Sequence, residues 1–154
     1  MNERYIKFDE VMPIIKEKLA SGGTVTLSPR GTSMLPMLRE GRDTITLSPA
    51  PEKLRKYDIP FYQRDNGQYV LHRVVKTGES YTCIGDNQFV YEKGIKQEQV
   101  IAVCESFTRD GKEYSVNSRF WRLYARFWHY SRFPRRVARG VRRRAASVFR
   151  KLKK

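Results

Sequence analysis

Two side chains in this sequence have the chemistry of a nucleophile and its base. Ser33 lies in the segment Gly-Thr-Ser-Met-Leu-Pro at residues 31–36, just before a turn. His72 lies in Tyr-Val-Leu-His-Arg-Val-Val at residues 69–75, a segment rich in strand-forming residues. A serine hydroxyl is a weak nucleophile at neutral pH and needs a proton acceptor, and imidazole has a pKa suited to that task. The pair makes a serine peptidase the leading hypothesis.

A helix and a series of short strands must position these two residues. Apolar residues at helical spacing over residues 8–19 predict an N-terminal helix, which Gly22 and Gly23 end. Alternating segments then predict strands near residues 25–27, 44–47, 59–62, 69–76, 80–84, 100–107 and 114–116. Asn66-Gly67 and Asp110-Gly111 predict tight turns between strands. We therefore expect a mainly β fold, in the form of a curled antiparallel sheet or small barrel.

The positive charge divides the chain into two parts. Of the 154 residues, 31 are Lys or Arg and 16 are Asp or Glu, which gives a formal net charge of +15. Residues 119–154 contain eleven Arg, three Lys and no acidic residue, so nearly all of the excess lies there. We expect one compact domain over residues 1–118, with its N-terminal helix, and a basic tail over residues 119–154.

The tail predicts two basic amphipathic helices separated by Pro134. On a helical wheel the first helix has one aromatic face, formed by Phe120, Trp121, Tyr124, Phe127 and Trp128. The second has an apolar stripe, formed by Val137, Val141, Ala145, Val148, Phe149 and Leu152. An anionic membrane surface is the partner that this pattern favours. Binding of nucleic acid through the arginines and packing of the aromatic face on the domain stay open.

Metal chemistry and membrane insertion are not expected. Cys83 and Cys104 are too few for a zinc site, and no histidine lies at ligand spacing from them. We expect two buried thiols, although a disulfide stays open, and we expect no cofactor. Neither a secretory signal nor an apolar run long enough to cross a bilayer is present, so we expect a peripheral membrane protein on the cytoplasmic side.

Four ordered blocks together resemble the type I signal peptidase clan, which includes the self-cleaving domains of phage and damage-response repressors. The resemblance covers roughly residues 24–106. The blocks are Gly-Thr-Ser-Met-Leu-Pro-Met-Leu with Arg-Glu-Gly-Arg-Asp (31–43), Lys-Tyr-Asp-Ile (56–59), Tyr-Val-Leu-His-Arg-Val (69–74) and Gly-Asp-Asn-Gln-Phe-Val-Tyr-Glu (85–92). Bacterial members usually have lysine before the Arg-Val of the third block. Histidine there is similar to the endoplasmic-reticulum and archaeal branch.

The resemblance implies a signal-peptidase type of fold and a set of site residues. Ser33 would be the nucleophile and His72 the general base. Asp86 matches an acidic position of that branch, and Glu92 lies where a second carboxylate is thought to orient the histidine. We favour Asp86 as a site residue and leave open which acid holds the imidazole. Some members have a serine hydroxyl two residues before the nucleophile as a second oxyanion donor, but this chain has Gly31 there.

The expected function is therefore that of a serine endopeptidase acting on a peptide or preprotein. Typical signal peptidases begin with membrane-spanning helices, which this sequence lacks, so cleavage of exported preproteins across a membrane is not implied. The alternative is a regulatory or nucleic-acid-binding protein that acts through its arginine-rich tail and does not need catalysis.

Overall fold

The computed structural model describes the backbone of residues 8–152 and the side chains of residues 10–142 and 144. The helices are α1 (Phe8–Ala20), α2 (Arg119–Tyr130) and α3 (Arg132–Leu152), with a short 3-10 helix at Gln97–Gln99. The strands are β1 (Val25–Leu27), β2 (Asp43–Pro49), β3 (Pro60–Gln63), β4 (Tyr69–Leu71), β5 (Arg73–Lys76), β6 (Tyr81–Ile84), β7 (Glu92–Ile95), β8 (Val100–Arg109) and β9 (Lys112–Ser115). The predicted mainly β body, with an N-terminal helix and a helical C-terminal segment, is confirmed.

The strands form two antiparallel sheets. The larger sheet has the order β1-β2-β8-β3-β4, with β9 also paired to β8, and the smaller sheet has the order β5-β6-β7. The sheets do not close into a barrel, so the open sheet is the form that this chain adopts. In the larger sheet β1 and β4 are edge strands.

Both predicted tight turns are present. Asn66-Gly67 joins β3 to β4, and Phe61 pairs with Leu71 across this hairpin. Gly67 has a φ of +84°, a left-handed conformation that glycine adopts at little cost. Asp110-Gly111 joins β8 to β9 as a two-residue turn between the paired Arg109 and Lys112, with positive φ at both turn residues.

The segment predicted as one strand over residues 69–76 is divided at His72. Continuing the register of β3 and β4 would place His72 opposite Pro60, which has no N–H to donate to the ladder. Beyond His72 the chain enters the smaller sheet, where Arg73 of β5 pairs with Ile84 of β6, while Val74 N–H still donates to the Asp58 carbonyl at 2.9 Å. His72 therefore lies where the chain passes from the larger sheet to the smaller one.

Two apolar clusters hold the body together. The first packs α1 and α2 against the larger sheet, and in it the Trp121 ring meets Phe107 edge to face with centroids 4.9 Å apart. The second lies between the sheets and includes Tyr62, Val74 and Cys83. The first helix of the segment predicted as a tail thus contributes a side chain to the core.

The two C-terminal helices meet at Ser131, and Pro134 lies in the first turn of α3. Proline is tolerated there because the N–H groups of a first turn have no intrahelical acceptor. Two helices are present, as predicted, but the prediction that Pro134 separates them is wrong, because the break lies at Ser131, three residues earlier. The predicted stripe positions Ala145, Val148, Phe149 and Leu152 have side chains outside the described residues.

Candidate active site

Ser33 and His72 line the same cleft, which has a volume of about 630 Å³. The cleft lies beside the two edge strands of the larger sheet, because Leu27 of β1 and Leu71 of β4 also line it. Its other apolar lining residues include Met34, Leu38, Ile45 and Phe61. The two residues that the sequence identified as nucleophile and base are therefore brought to one surface.

Ser33 lies in the loop between β1 and β2, residues 28–42, which we call the nucleophile loop after the role predicted for Ser33. The residues that follow Ser33 anchor it to the core. Met34 and Leu38, which follow it, are buried in the core, and Leu38 N–H donates to the Met34 carbonyl at 2.9 Å. Gly31 has a φ of +78°, a conformation in which a serine would be strained. The loop conformation thus accounts for glycine at the position where some signal peptidases have a second hydroxyl donor.

His72 faces the nucleophile loop across Gly85. A Cβ atom placed on Gly85 would lie 2.6 Å from the Ser33 carbonyl oxygen and 3.1 Å from His72 Nε2. No side chain could fit there without displacing one of them, so the absence of a side chain at Gly85 allows the close approach. The Nε2 edge of the imidazole therefore lies next to the residue that would be the nucleophile.

The other ring nitrogen of His72 faces Glu92. His72 Nδ1 lies 2.8 Å from Glu92 Oε1. The Tyr62 hydroxyl donates to Glu92 Oε2 at 2.9 Å, and Arg64 donates to both carboxylate oxygens, with Nε at 2.8 Å and Nη2 at 2.5 Å. A carboxylate held at Nδ1 favours the tautomer with its proton on that nitrogen, which leaves the lone pair on Nε2.

The surroundings set the charge of both groups. Burial lowers the pKa of His72 below its ordinary value, and the charge of Arg64 acts in the same direction, while Glu92 opposes them. Burial would raise the pKa of Glu92, but hydrogen bonds from Arg64 and Tyr62 outweigh it and hold this pKa below its ordinary range. At pH 7 the imidazole is therefore neutral and the carboxylate ionised, as a general base and its orienting acid require.

Asp86 has a different partner. Its two carboxylate oxygens accept hydrogen bonds from Arg73 Nε and Nη2, each at 2.8 Å. Asp86 is 1% exposed and Arg73 is 3% exposed, so this is a buried ion pair. Of the two acids between which the sequence left the choice open, Glu92 is the one in contact with the imidazole. Asp86 instead holds Arg73, the residue that follows His72 in the chain.

The segment that carries Asp86 is held from outside by the C-terminal helices. Trp128 Nε1 donates to the Asp86 carbonyl at 2.7 Å, and Arg139 Nη2 donates to Asn87 Oδ1 at 2.6 Å. Asn87 N–H in turn donates to the Ser33 carbonyl at 2.8 Å, and its amide donates to the Thr32 carbonyl at 3.1 Å. Helix α2 therefore holds Asp86 and helix α3 holds Asn87, which in turn holds the loop that carries Ser33.

Several of these contacts were missed by the sequence analysis. Tyr62 and Arg64 could have been found, because the Asn66-Gly67 hairpin places them on the same face as His72 by the alternation of side chains along paired strands. Trp128 gave no such signal, since its helix lies far from the site in the sequence.

Cys83 and Cys104 are free and buried, as expected, and burial raises the pKa of each thiol to about 12. Among residues 10–142 and 144, whose side chains the structure describes, we find no group of three or more His, Cys, Asp or Glu arranged to hold a metal ion. Over residues 8–152, no helix combines the length and apolar character needed to cross a bilayer.

Comparisons of this chain with protein families, with curated proteins and with solved structures found no significant match.

Proposed function

We propose that this protein is a serine endopeptidase in which Ser33, His72 and Glu92 form the catalytic triad. The observation that carries the proposal is the position of His72, with Nδ1 on the Glu92 carboxylate and Nε2 next to the Ser33 backbone across Gly85. The resemblance of the four ordered blocks to the type I signal peptidase clan supports the same assignment. In this proposal Asp86 is a positioning residue that acts through Arg73.

The reaction follows from the chemistry of these groups. The Ser33 hydroxyl oxygen attacks the peptide carbonyl carbon while its proton passes to His72 Nε2, and Glu92 stabilises the imidazolium that forms. The tetrahedral intermediate collapses as the C–N bond breaks, and His72 gives the proton to the leaving amine. Water, deprotonated by the same nitrogen, then releases the acyl group from Ser33. The Ser33 backbone N–H is the oxyanion donor that we propose, a contribution of about 3 kcal/mol in such sites.

The cleft indicates the class of substrate. An extended peptide can pair with an edge strand through its main chain, and β1 and β4 both border the cleft. The apolar lining, which includes Leu38, Ile45 and Phe61, favours an apolar side chain near the scissile bond. The resemblance implies small residues there, so a small apolar residue satisfies both.

We also propose that the protein works at a membrane surface as a peripheral protein on the cytoplasmic side. The charge of residues 119–154, with fourteen basic residues and no acidic one, supports attraction to anionic lipid.

Cleavage of a peptide library, read by mass spectrometry, tests the proposed activity. Ser33→Ala and His72→Gln should abolish cleavage. Two matched controls, Ser80→Ala in an exposed turn and His129→Gln on α2, should retain it. Equal cleavage by wild type and Ser33→Ala would overturn the proposal and favour a regulatory protein that acts through its basic helices.

A further inference from the structure

The two C-terminal helices have an inner face that packs on the body and an outer face that does not. The inner face is formed by Trp121, Tyr124, Ala125 and Trp128, of which Trp121 and Ala125 are buried. The aromatic face predicted from the sequence is thus divided. Its two tryptophans belong to the inner face, while Phe120 and Phe127 point outward and are each 68% exposed.

The apolar side chains that point outward form a surface that we call the outer stripe. Its members recur at spacings of three and four residues along α2 and continue past Ser131 into α3. Each is between 51% and 76% exposed. The outer stripe consists of Phe120, Leu123, Phe127, Tyr130, Phe133, Val137 and Val141.

Arginines that have no role in the body accompany the outer stripe. Exposed side chains on these helices include Arg119, Arg126, Arg136, Arg142 and Arg144. The ion pairs formed among the described residues involve none of these five. By contrast, Arg122 forms an ion pair with Asp58 at 3.5 Å, and Arg139 donates a hydrogen bond to the Asn87 side chain.

We propose that the outer stripe docks α2 and α3 in the plane of an anionic lipid bilayer, with the free arginines at the phosphate level. An exposed apolar stripe with cationic residues around it is the pattern of helices that lie in a membrane interface. Nucleic acid is a poorer fit, because single strands are bound by aromatic rings that stack with bases, and Leu123, Val137 and Val141 offer no such face. The proposal rests on the peripheral association proposed above but not on catalysis.

Docking in this orientation determines where the cleft can work. The inner face of the same helices holds Asp86 and Asn87 through Trp128 and Arg139, and Asn87 holds the nucleophile loop. A bilayer on the outer stripe therefore keeps the cleft at a fixed distance from the lipid. The substrates are then peptide segments close to the membrane surface.

Sedimentation with vesicles tests the docking surface. Wild type should bind phosphatidylcholine vesicles that contain phosphatidylglycerol and should bind pure phosphatidylcholine vesicles weakly. The double variant Phe127→Ser with Phe133→Ser should partition at least about tenfold less, since each removes a large apolar side chain from the interface. Ile14→Ser, which removes a side chain 66% exposed on α1, is the matched control and should bind like wild type.

Fluorescence quenching by brominated lipid tests the orientation. The chain contains two tryptophans, and both lie on the inner face, so wild-type emission should be quenched little. The variant Phe127→Trp should be quenched strongly. Ser33→Ala should bind vesicles like wild type, so a failure of catalysis and a failure of docking give different results.

Three results would overturn the proposal. The first is equal vesicle binding by wild type and the Phe127→Ser with Phe133→Ser variant. The second is strong quenching of the wild-type tryptophans. The third is displacement of wild type from vesicles by a single-stranded oligoribonucleotide at equal phosphate concentration, with the stripe variant still binding that RNA, which would assign the helices to nucleic acid.

Discussion

Neutralising each of the two acids near the imidazole should affect a different property of the protein. We compare Asp86→Asn with Glu92→Gln, since each removes a negative charge and keeps the size of the side chain. Asp86 faces the buried guanidinium of Arg73, whereas Glu92 faces His72 and the partly exposed Arg64. The first change should therefore reduce the stability of the fold and the second should reduce catalysis.

The burial of each pair sets the magnitudes. Arg73 and Asp86 have side-chain exposures of 3% and 1%, so Asp86→Asn leaves a buried charge without its partner, at a cost of about 3–5 kcal/mol in the free energy of unfolding. For a chain of this size that lowers Tm by about 10 °C. Arg64 and Glu92 have side-chain exposures of 33% and 19%, so loss of their ion pair costs about 1 kcal/mol or less. Losing the carboxylate that stabilises the imidazolium should lower kcat about 100-fold or more.

Urea unfolding followed by circular dichroism, together with kcat and KM on a cleaved peptide, measures both effects. Ser80→Ala provides the baseline for both measurements. We expect Glu92→Gln to unfold near the wild-type midpoint with a much lower kcat. A stable but inactive Asp86→Asn beside a fully active Glu92→Gln would refute the reasoning and make Asp86 the orienting acid.

A pH profile and three further substitutions test the site from other directions. In the pH profile of kcat/KM, activity should rise as His72 loses its proton, with a midpoint below the ordinary histidine value of 6.5, because burial lowers the pKa of this group. Arg64→Met should move that midpoint to higher pH, since Arg64 also lowers the pKa of His72. Gly85→Ala should abolish cleavage, because its Cβ would meet the Ser33 carbonyl oxygen and His72 Nε2. Gly78→Ala is the control, because a Cβ there would meet only the Ser80 carbonyl oxygen at an ordinary contact distance of 3.8 Å. Trp128→Phe should lower kcat more than it raises KM, because it removes the hydrogen bond to the Asp86 carbonyl, and a wild-type kcat would show that this contact does not position the site.

The fold could be predicted from the sequence wherever the signal was local. The Asn66-Gly67 hairpin was predicted because a glycine that adopts positive φ turns the chain locally and so fixes the pairing of the strands on either side. The division of the strand at His72 was missed, since residues 69–76 read as one uninterrupted strand pattern. What ends β4 is Pro60 on the neighbouring strand, and a pattern read along one strand does not contain its neighbour.

At the candidate site, too, the sequence predicted what was local and missed what depends on contacts between distant segments. Ser33 and His72 were predicted as a pair from residue type and resemblance, and the structure brings them to one cleft, but which acid contacts the imidazole depended on where Arg73 points. Both acids lie in one segment at comparable distances along the chain from His72. Only the three-dimensional arrangement shows that the buried guanidinium of Arg73 takes one carboxylate and leaves the other to the imidazole.

The segment Gly85-Asp86-Asn87 shows why three adjacent residues are needed in this order. Gly85 has no side chain because the Ser33 carbonyl and the imidazole both approach it. Asp86 neutralises Arg73, the residue that follows the imidazole, and the Asn87 side-chain amide donates to the carbonyl of Thr32, next to Ser33. The three positions therefore meet three separate requirements. A substitution of Gly85 should fail by steric exclusion, one of Asp86 by instability, and one of Asn87 by loss of positioning. Because Trp128 and Arg139 contact the last two of these residues, the basic helices belong to the same unit as the site.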